Sequence, residues 1–220
     1  EVRNYKEVLD IGARHPYPHV PNKDLNNLST LCYTSGTTGL PKGVRVTTRG
    51  LLEGLEGLRW VISDRELVSI SYLPLAHIYE RGWEIYVLYM GGSIGYFSGQ
   101  IERLMEDLQI LQPTVMPSVP RVLNRIAGQI QIQMDTPGLK GKLLTKAVRA
   151  KLENYRKTGS VTHALWDRLV FRKVRALLGG RVELILTGSA PCRRDVLELL
   201  RIALCTDIRE GYGQTENNAY

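Results

Sequence analysis

The sequence predicts an α/β fold built on a mostly parallel sheet of βαβ units, and three observations predict it. Short apolar runs of strand length alternate with longer segments whose apolar residues recur at helical spacing. Val182 to Leu186 is an apolar run interrupted only by Glu183, the pattern of a strand buried on both faces. Glycine-bearing loops directly follow strand-like runs near both ends of the chain.

The elements follow in order. Residues 1–27 are polar and carry His15-Pro16-Tyr17-Pro18 and Pro21-Asn22, so they read as an irregular lead-in to a domain over 28–220. Leu28 to Tyr33 and Leu67 to Leu73 read as strands. Ile78 to Met90 reads as a helix closed by Gly91-Gly92, and Ser93 to Phe97 as a short strand. Ile101, Leu104, Met105, Leu108 and Leu111 fall on one helical face, which Pro113 stops. Thr114 to Met116 is a short β segment, and Val119, Val122, Leu123, Ile126 and Ile130 define the next helix. Residues 137–158 are basic and helical, and read as a surface excursion between turn residues. Leu165, Leu169, Val174 and Leu178 predict a helix ended by Gly179-Gly180. After the Val182 to Leu186 strand, Val196, Leu199, Leu200, Ala203 and Leu204 predict an amphipathic helix.

Composition narrows the function classes. At 220 residues, 43% hydrophobic and 23% charged, the chain has the make-up of a soluble globular protein. The net charge of +7 is dispersed, with doublets such as Arg172-Lys173 and Arg193-Arg194 but no aromatic-interleaved basic patch, which speaks against nucleic acid. The charge reads as solvated surface, with attraction to an anionic membrane surface as the lesser alternative. Cys32, Cys192 and Cys205 are odd in number and far apart, which points to a reducing compartment rather than a disulfide framework or zinc site. The four histidines show no metal spacing. Glu1 in place of methionine makes a fragment the expected reading.

Chemistry concentrates in Tyr33-Thr34-Ser35-Gly36-Thr37-Thr38-Gly39-Leu40-Pro41-Lys42-Gly43. Five hydroxyls, three glycines and one lysine share these eleven residues. Glycines let successive N–H groups converge as an anion nest, hydroxyls add donors, and Lys42 adds a mobile cation suited to phosphate. The spacing differs from the common phosphate loop, since Lys42 follows proline and precedes glycine.

A second constellation is Glu210-Gly211-Tyr212-Gly213-Gln214-Thr215-Glu216. Its glycines permit close backbone approach, Tyr212 offers a stacking face, and Glu216 is a hard oxygen ligand suited to magnesium. A dinucleotide fingerprint is rejected, because glutamate occupies the place of the third glycine. Thr187-Gly188-Ser189-Ala190-Pro191 follows the buried strand with small residues against which a flat ligand can lie. Tyr72-Leu73-Pro74-Leu75-Ala76-His77-Ile78-Tyr79-Glu80-Arg81 places a histidine at the head of a predicted helix.

Together these segments resemble the adenylate-forming superfamily of acyl-CoA synthetases, luciferases and peptide-synthetase adenylation domains. The Leu73 to Arg81 segment, Gln112-Pro113-Thr114, the Pro117 to Arg125 segment and Glu210 are similar to those of the long-chain fatty acyl-CoA synthetases in particular. The resemblance runs from about Leu28 to Glu216. It departs at Asn217-Asn218-Ala219-Tyr220, where relatives usually have a cysteine or small residues, and at Trp83, which reads as a core residue rather than an acyl gate.

The resemblance implies the layered α/β domain of those enzymes, incomplete in this chain. It implies ATP, Mg²⁺ and coenzyme A, with a long-chain fatty acid as substrate. Thr34, Ser35, Gly36, Thr37, Thr38, Gly39 and Lys42 would hold the β- and γ-phosphates, Thr215 the α-phosphate and Glu216 the metal. Gly211, Tyr212, Gly213 and Gln214, with Gly188, Ser189, Ala190 and Pro191, would flank the adenine side of the site. His77 would line the carboxylate end of the acyl pocket. Thr215, Glu216, Lys42 and His77 are thus the expected catalytic set. A ribose-holding aspartate and a small carboxy-terminal domain with its lysine are expected beyond Tyr220. The resemblance also implies an intracellular protein associated peripherally with the cytosolic face of a membrane such as the endoplasmic reticulum, with no oligomeric state implied. An adenylation module for another carboxylate, or a non-catalytic nucleotide- or lipid-binding relative, are the alternatives.

Overall fold

The computed structural model of the chain describes residues 4–18, 24–35, 39–62 and 65–218. Helix α1 (Tyr5–Arg14) leads into strands β1 (Leu28–Thr34) and β2 (Lys42–Thr47), then α2 (Thr48–Val61), β3 (Val68–Ser71), α3 (Ile78–Tyr89) and β4 (Ser93–Tyr96). There follow α4 (Leu104–Leu111), β5 (Val115–Ser118), α5 (Pro120–Asp135), α6 (Leu139–Thr158), α7 (Ala164–Trp166) and α8 (Arg172–Arg175). The last regular elements are β6 (Leu184–Thr187), α9 (Arg194–Leu204) and β7 (Asp207–Glu210).

The class is the expected one: β4-β3-β5-β6-β7 form a five-stranded sheet whose pairings are all parallel. Alternation along each strand sends side chains to two different helical layers. Ile70, Met116, Ile185 and Ile208 pack with Leu123, Ile130 and Leu200 from α5 and α9, while Val115, Leu184 and Leu186 pack with Leu55, Leu58, Trp83 and Val87 from α2 and α3. Trp83 is buried and its indole N–H donates to Ser69 Oγ at 2.8 Å, which settles it as a core residue.

Four local expectations are corrected. The lead-in is not wholly irregular, because α1 forms there on a reciprocal cap. Asn4 Oδ1 accepts from the Glu7 amide at 2.9 Å, and the Glu7 carboxylate accepts from the Asn4 amide at 3.2 Å.

Second, the strand before the glycine- and hydroxyl-rich loop is not part of the parallel sheet. β1 and β2 form a separate antiparallel pair, with Thr34 opposite Lys42, and α2 follows directly on the cap that Thr47 Oγ1 offers the Gly50 amide.

Third, α6 is no surface excursion. Leu144, Ala147, Val148 and Lys151 recur at helical spacing and are all buried. Lys151 is tolerated there because its Nζ lies 2.5 Å from Asp167 Oδ1 and 4.5 Å from the centre of the Phe171 ring.

Fourth, the helix expected over Leu165 to Leu178 is broken into α7, a π turn at Asp167–Phe171, α8 and a 3₁₀ turn at Ala176–Leu178. The π turn supplies both Asp167 and Phe171 to Lys151. Gly179 then ends the segment at φ +83°, with its Cα against the Leu108 carbonyl where an added Cβ would lie 2.6 Å from the oxygen.

Candidate active site

In a parallel sheet every strand delivers its carboxyl end to the same edge, and ligands bind where the connections diverge to opposite sides. Here the chain runs from β3 to β4 on one side and then to β5 on the other. A cleft of about 950 Å³ lies at that edge, walled by Leu73 after β3, Val119 after β5, Gly188 after β6 and Gly211 after β7. Its remaining walls are the first turn of α3, through Ile78, Tyr79 and Glu80, and the end of α2, through Gly57, Leu58 and Val61, a helix absent from the sequence reading.

The cleft brings together His77, Gly188, Ser189, Gly211, Tyr212, Gly213, Gln214 and Thr215. His77 is exposed and caps α3 through backbone geometry alone, with its amide donating to the Pro74 carbonyl at 3.0 Å. Tyr212 is 84% exposed, so its ring is open to a stacking partner. Ala190 and Glu216 adjoin lining residues in sequence without lining the cleft themselves, while Pro191 and the hairpin residues Thr34, Ser35, Gly39 and Lys42 are not among the lining residues. Gly36, Thr37 and Thr38 lie outside the described residues.

The exits of β6 and β7 are built as one unit. The Gly211 amide donates to the Thr187 carbonyl at 2.8 Å, and a Cβ on Gly188 would meet the Gly211 carbonyl oxygen at 3.3 Å. Ser189 takes a left-handed conformation, φ 71°, at the turn that follows. Glu210 fixes that turn from the neighbouring strand, its carboxylate accepting from the Cys192 amide at 3.0 Å. Beyond them Thr215–Asn217 forms a 3₁₀ turn closed by the Gln214 amide donating to Asn217 Oδ1 at 2.9 Å. Asn217, a departure from the resembled pattern, therefore orients the turn that carries Thr215 and Glu216.

The hairpin docks on this edge. Cys32 and Val46 pack with Ile78, Cys32 Sγ lies 3.3 Å from the Ala76 carbonyl, and β2 packs against the Thr215–Asn217 turn. Lys42 and Glu216 thus belong to two elements in contact. Among the described residues the Glu216 carboxylate makes no hydrogen bond or ion pair, and no three His, Cys, Asp or Glu side chains converge as a metal cage. A single uncommitted carboxylate fits magnesium, which keeps several waters and is held largely through phosphate oxygens.

Electrostatics single out two groups behind the cleft. Burial holds the Tyr72 phenol protonated, and its hydroxyl donates to the Pro117 carbonyl at 2.9 Å, joining the ends of β3 and β5. Glu80 in the first turn of α3 is fully buried, and burial, reinforced by nearby Glu84, pushes its pKa up to about 8. The Ser71 hydroxyl and the Tyr72 and Leu73 amides oppose that rise and lose to burial.

The profile of the AMP-binding enzyme family matches residues 2–220. The chain belongs to the AMP-binding enzyme family. It is 44% identical over 229 residues to human long-chain-fatty-acid–CoA ligase 1, covering 100% of this chain and 32% of the relative. It is 41% identical over 223 residues to the peroxisomal long chain acyl-CoA synthetase 6 of Arabidopsis thaliana, covering 99% of this chain and 31% of the relative. The chain thus spans about a third of the length of these relatives. Among solved structures, the adenylation domain of a carboxylate reductase from Mycobacterium chelonae superposes with a TM-score of 0.70 at 26% identity, over 94% of this chain and 30% of that one. The parallel sheet of this AMP-binding family member is that of the adenylate-forming enzymes.

Sequence reasoning missed Glu80 and Arg209, both in the wall of the family member's cleft. Arg209 donates to Asp207 at 2.7 Å and to the Val61 carbonyl, tying β7 to the end of α2. A charged residue between Ile208 and Glu210 in a short strand gives no local sign of that long-range contact.

Proposed function

We propose that the protein activates a long-chain fatty acid with ATP and passes the acyl group to coenzyme A. The observation that carries this reading is the cleft at the carboxyl ends of the sheet. It gathers His77, the Gly188-Ser189 turn and the Gly211 to Thr215 loop, the segments in which the resemblance to long-chain acyl-CoA synthetases resides. The resemblance of the chain to proteins named as long-chain-fatty-acid–CoA ligases supports the same substrate class.

In this reading a carboxylate oxygen attacks the α-phosphorus, the bond to the β-phosphate oxygen breaks, and pyrophosphate leaves. The coenzyme A thiol, losing its proton, then attacks the acyl carbonyl, and AMP leaves with the electron pair of the acyl–oxygen bond. The demand of the first step is to neutralise charge on phosphorus and on the leaving group. Lys42 and the loop from Thr34 to Gly39, including Gly36, Thr37 and Thr38, serve the β- and γ-phosphates. Thr215 donates to the α-phosphate. Glu216 holds Mg²⁺, which neutralises phosphate charge when bound. Tyr212, Gly211, Gly213 and Gln214 and the Gly188, Ser189, Ala190 and Pro191 turn bracket the adenine, and His77 orients the acid. Coenzyme A enters as co-substrate. We place the protein inside the cell at a membrane's cytosolic face, the address the resemblance implies. Among the described residues no helix is long and apolar enough to cross a membrane.

The test is exchange of labelled pyrophosphate into ATP by the purified protein with palmitate, benzoate or a mixture of amino acids. Exchange driven by palmitate alone is expected. Exchange driven by benzoate or amino acids would replace the fatty acid by another carboxylate, the reading that the likeness to a carboxylate reductase adenylation domain favours.

A further inference from the structure

Glu80 is fully buried, yet it stands in the wall of the cleft. Neither of its carboxyl oxygens has a hydrogen-bond partner among the described residues. The Ser71 hydroxyl and the amides of Tyr72 and Leu73 face it from the end of β3, and none reaches bonding geometry. On its own helix, one turn on, Glu84 is a second buried carboxylate, with Oε1 also unpartnered. Across the cleft β7 contributes Arg209 and Glu210, Tyr212 follows it, and His77 opens α3. Arg209 is engaged by Asp207 and the Val61 carbonyl, and Glu210 by the Cys192 amide. The nearby charge that acts on Glu80 among the described residues is therefore the like charge of Glu84.

A carboxylate in such a place is costly, because among the described residues no cation faces it and the Ser71 hydroxyl and the Tyr72 and Leu73 amides offset its desolvation only in part. The neutral acid avoids that cost. An anion entering the cleft adds another like charge and makes the ionised form costlier still. The connection from Tyr72 to His77 is what Glu80 touches at both ends: the amides of Tyr72 and Leu73 at its start, the first turn of α3 at its finish. That connection sends Leu73, Pro74 and His77 into the cleft.

We propose that uncharged Glu80 is a positioning residue for an anionic ligand of this cleft, holding the Tyr72 to His77 connection in its binding shape. Ionisation of Glu80 releases that shape, so the anion and the Glu80 proton bind together and each tightens the other. The inference rests on the nucleotide- and acid-binding reading of the cleft given above.

The test is AMP binding by calorimetry at pH 7 and pH 9, in two buffers of different ionisation enthalpy, for the wild-type protein and Glu80→Gln. With Glu80 titrating at about 8 in the free protein, wild-type affinity falls about tenfold by pH 9, with close to one proton taken up per AMP. Glu80→Gln binds AMP with an affinity that does not change between the two pH values and takes up no proton. Equal proton uptake by both proteins overturns the inference and leaves the nucleotide reading standing. Absence of AMP binding to the wild type at pH 7 overturns the nucleotide reading, and the inference with it. A measurement without a variant uses wild-type protein carrying ¹³C-carboxyl glutamate. The resonance that titrates near pH 8 moves upward by about two pH units or more on adding AMP, as the tenfold fall requires; a resonance that AMP leaves in place overturns the proposal.

Discussion

Glu80→Gln also changes the pH dependence of folding stability, and the sign follows from burial. In the unfolded chain the carboxyl titrates near 4.5, and in the folded protein burial raises it to about 8. Between those values the folded state holds a proton that the unfolded state has lost. Stability therefore falls as pH rises through this window and levels off above about 8. At about 1.4 kcal/mol per pH unit the gap corresponds to about 5 kcal/mol. That is an upper limit, since the Ser71 hydroxyl and the Tyr72 and Leu73 amides can turn toward an ionised carboxylate. Glutamine has the same shape and no ionisation, so its stability lacks this slope. Urea unfolding of both proteins at pH 5 through 9 measures the difference. The Gln variant gains on the wild type by up to about 3.5 kcal/mol between pH 5 and pH 8, by the same linkage. Parallel stability profiles across that range would refute the burial argument for Glu80.

Three further outcomes are expected. Glu216→Gln sharply lowers Mg²⁺-dependent adenylation with an unchanged urea midpoint, whereas Lys42→Ala lowers it less because backbone N–H groups of the loop remain; a greater loss at Lys42 reverses the two roles. Tyr212→Ala weakens AMP binding by about 1–3 kcal/mol through lost base stacking, and Tyr212→Phe restores most of it; equal losses in both would remove the ring from the site. Lys151→Met leaves half-buried Asp167 beside Phe171 with only the His163 amide as partner among the described residues and destabilises the protein by about 1–3 kcal/mol, with the Lys151→Met, Asp167→Asn double variant recovering part of the loss in the same urea assay.

The legibility of this chain follows the range of its interactions. The central strands were readable because sheet burial on both faces leaves nearly uninterrupted apolar runs, as in Leu184 to Leu186. The loops at their carboxyl ends were readable because glycines and small polar residues gather there in place of core-type apolar ones, as in Thr187 to Ala190 and Gly211 to Thr215. The hairpin partner β2 was not, since Lys42 to Thr47 buries only Val46 fully and its pattern competes with the polar loop before it. Helix α2 was hidden by Gly50, Gly54 and Gly57, which lower helix propensity although Leu55 and Leu58 carry a buried face. The sequence also misled at Lys151 and Glu80. A charged residue in a helix ordinarily marks the solvent side, and only the fold shows Asp167 and Phe171 meeting the first or the end of β3 meeting the second. The cleft residues were found as separate segments, while Arg209 and the α2 wall, which depend on contacts across more than a hundred residues of chain, were not.

The central claim is that the cleft at the carboxyl ends of β3, β5, β6 and β7 is the nucleotide site. A crystal structure of the protein with AMP and palmitate tests it most directly. The account predicts adenine between Tyr212 and the Gly188 to Pro191 turn, the phosphate at Thr215, and the fatty-acid carboxylate on the His77 side. AMP bound elsewhere on the chain, or a cleft filled by palmitate with no nucleotide beside Tyr212, would contradict it.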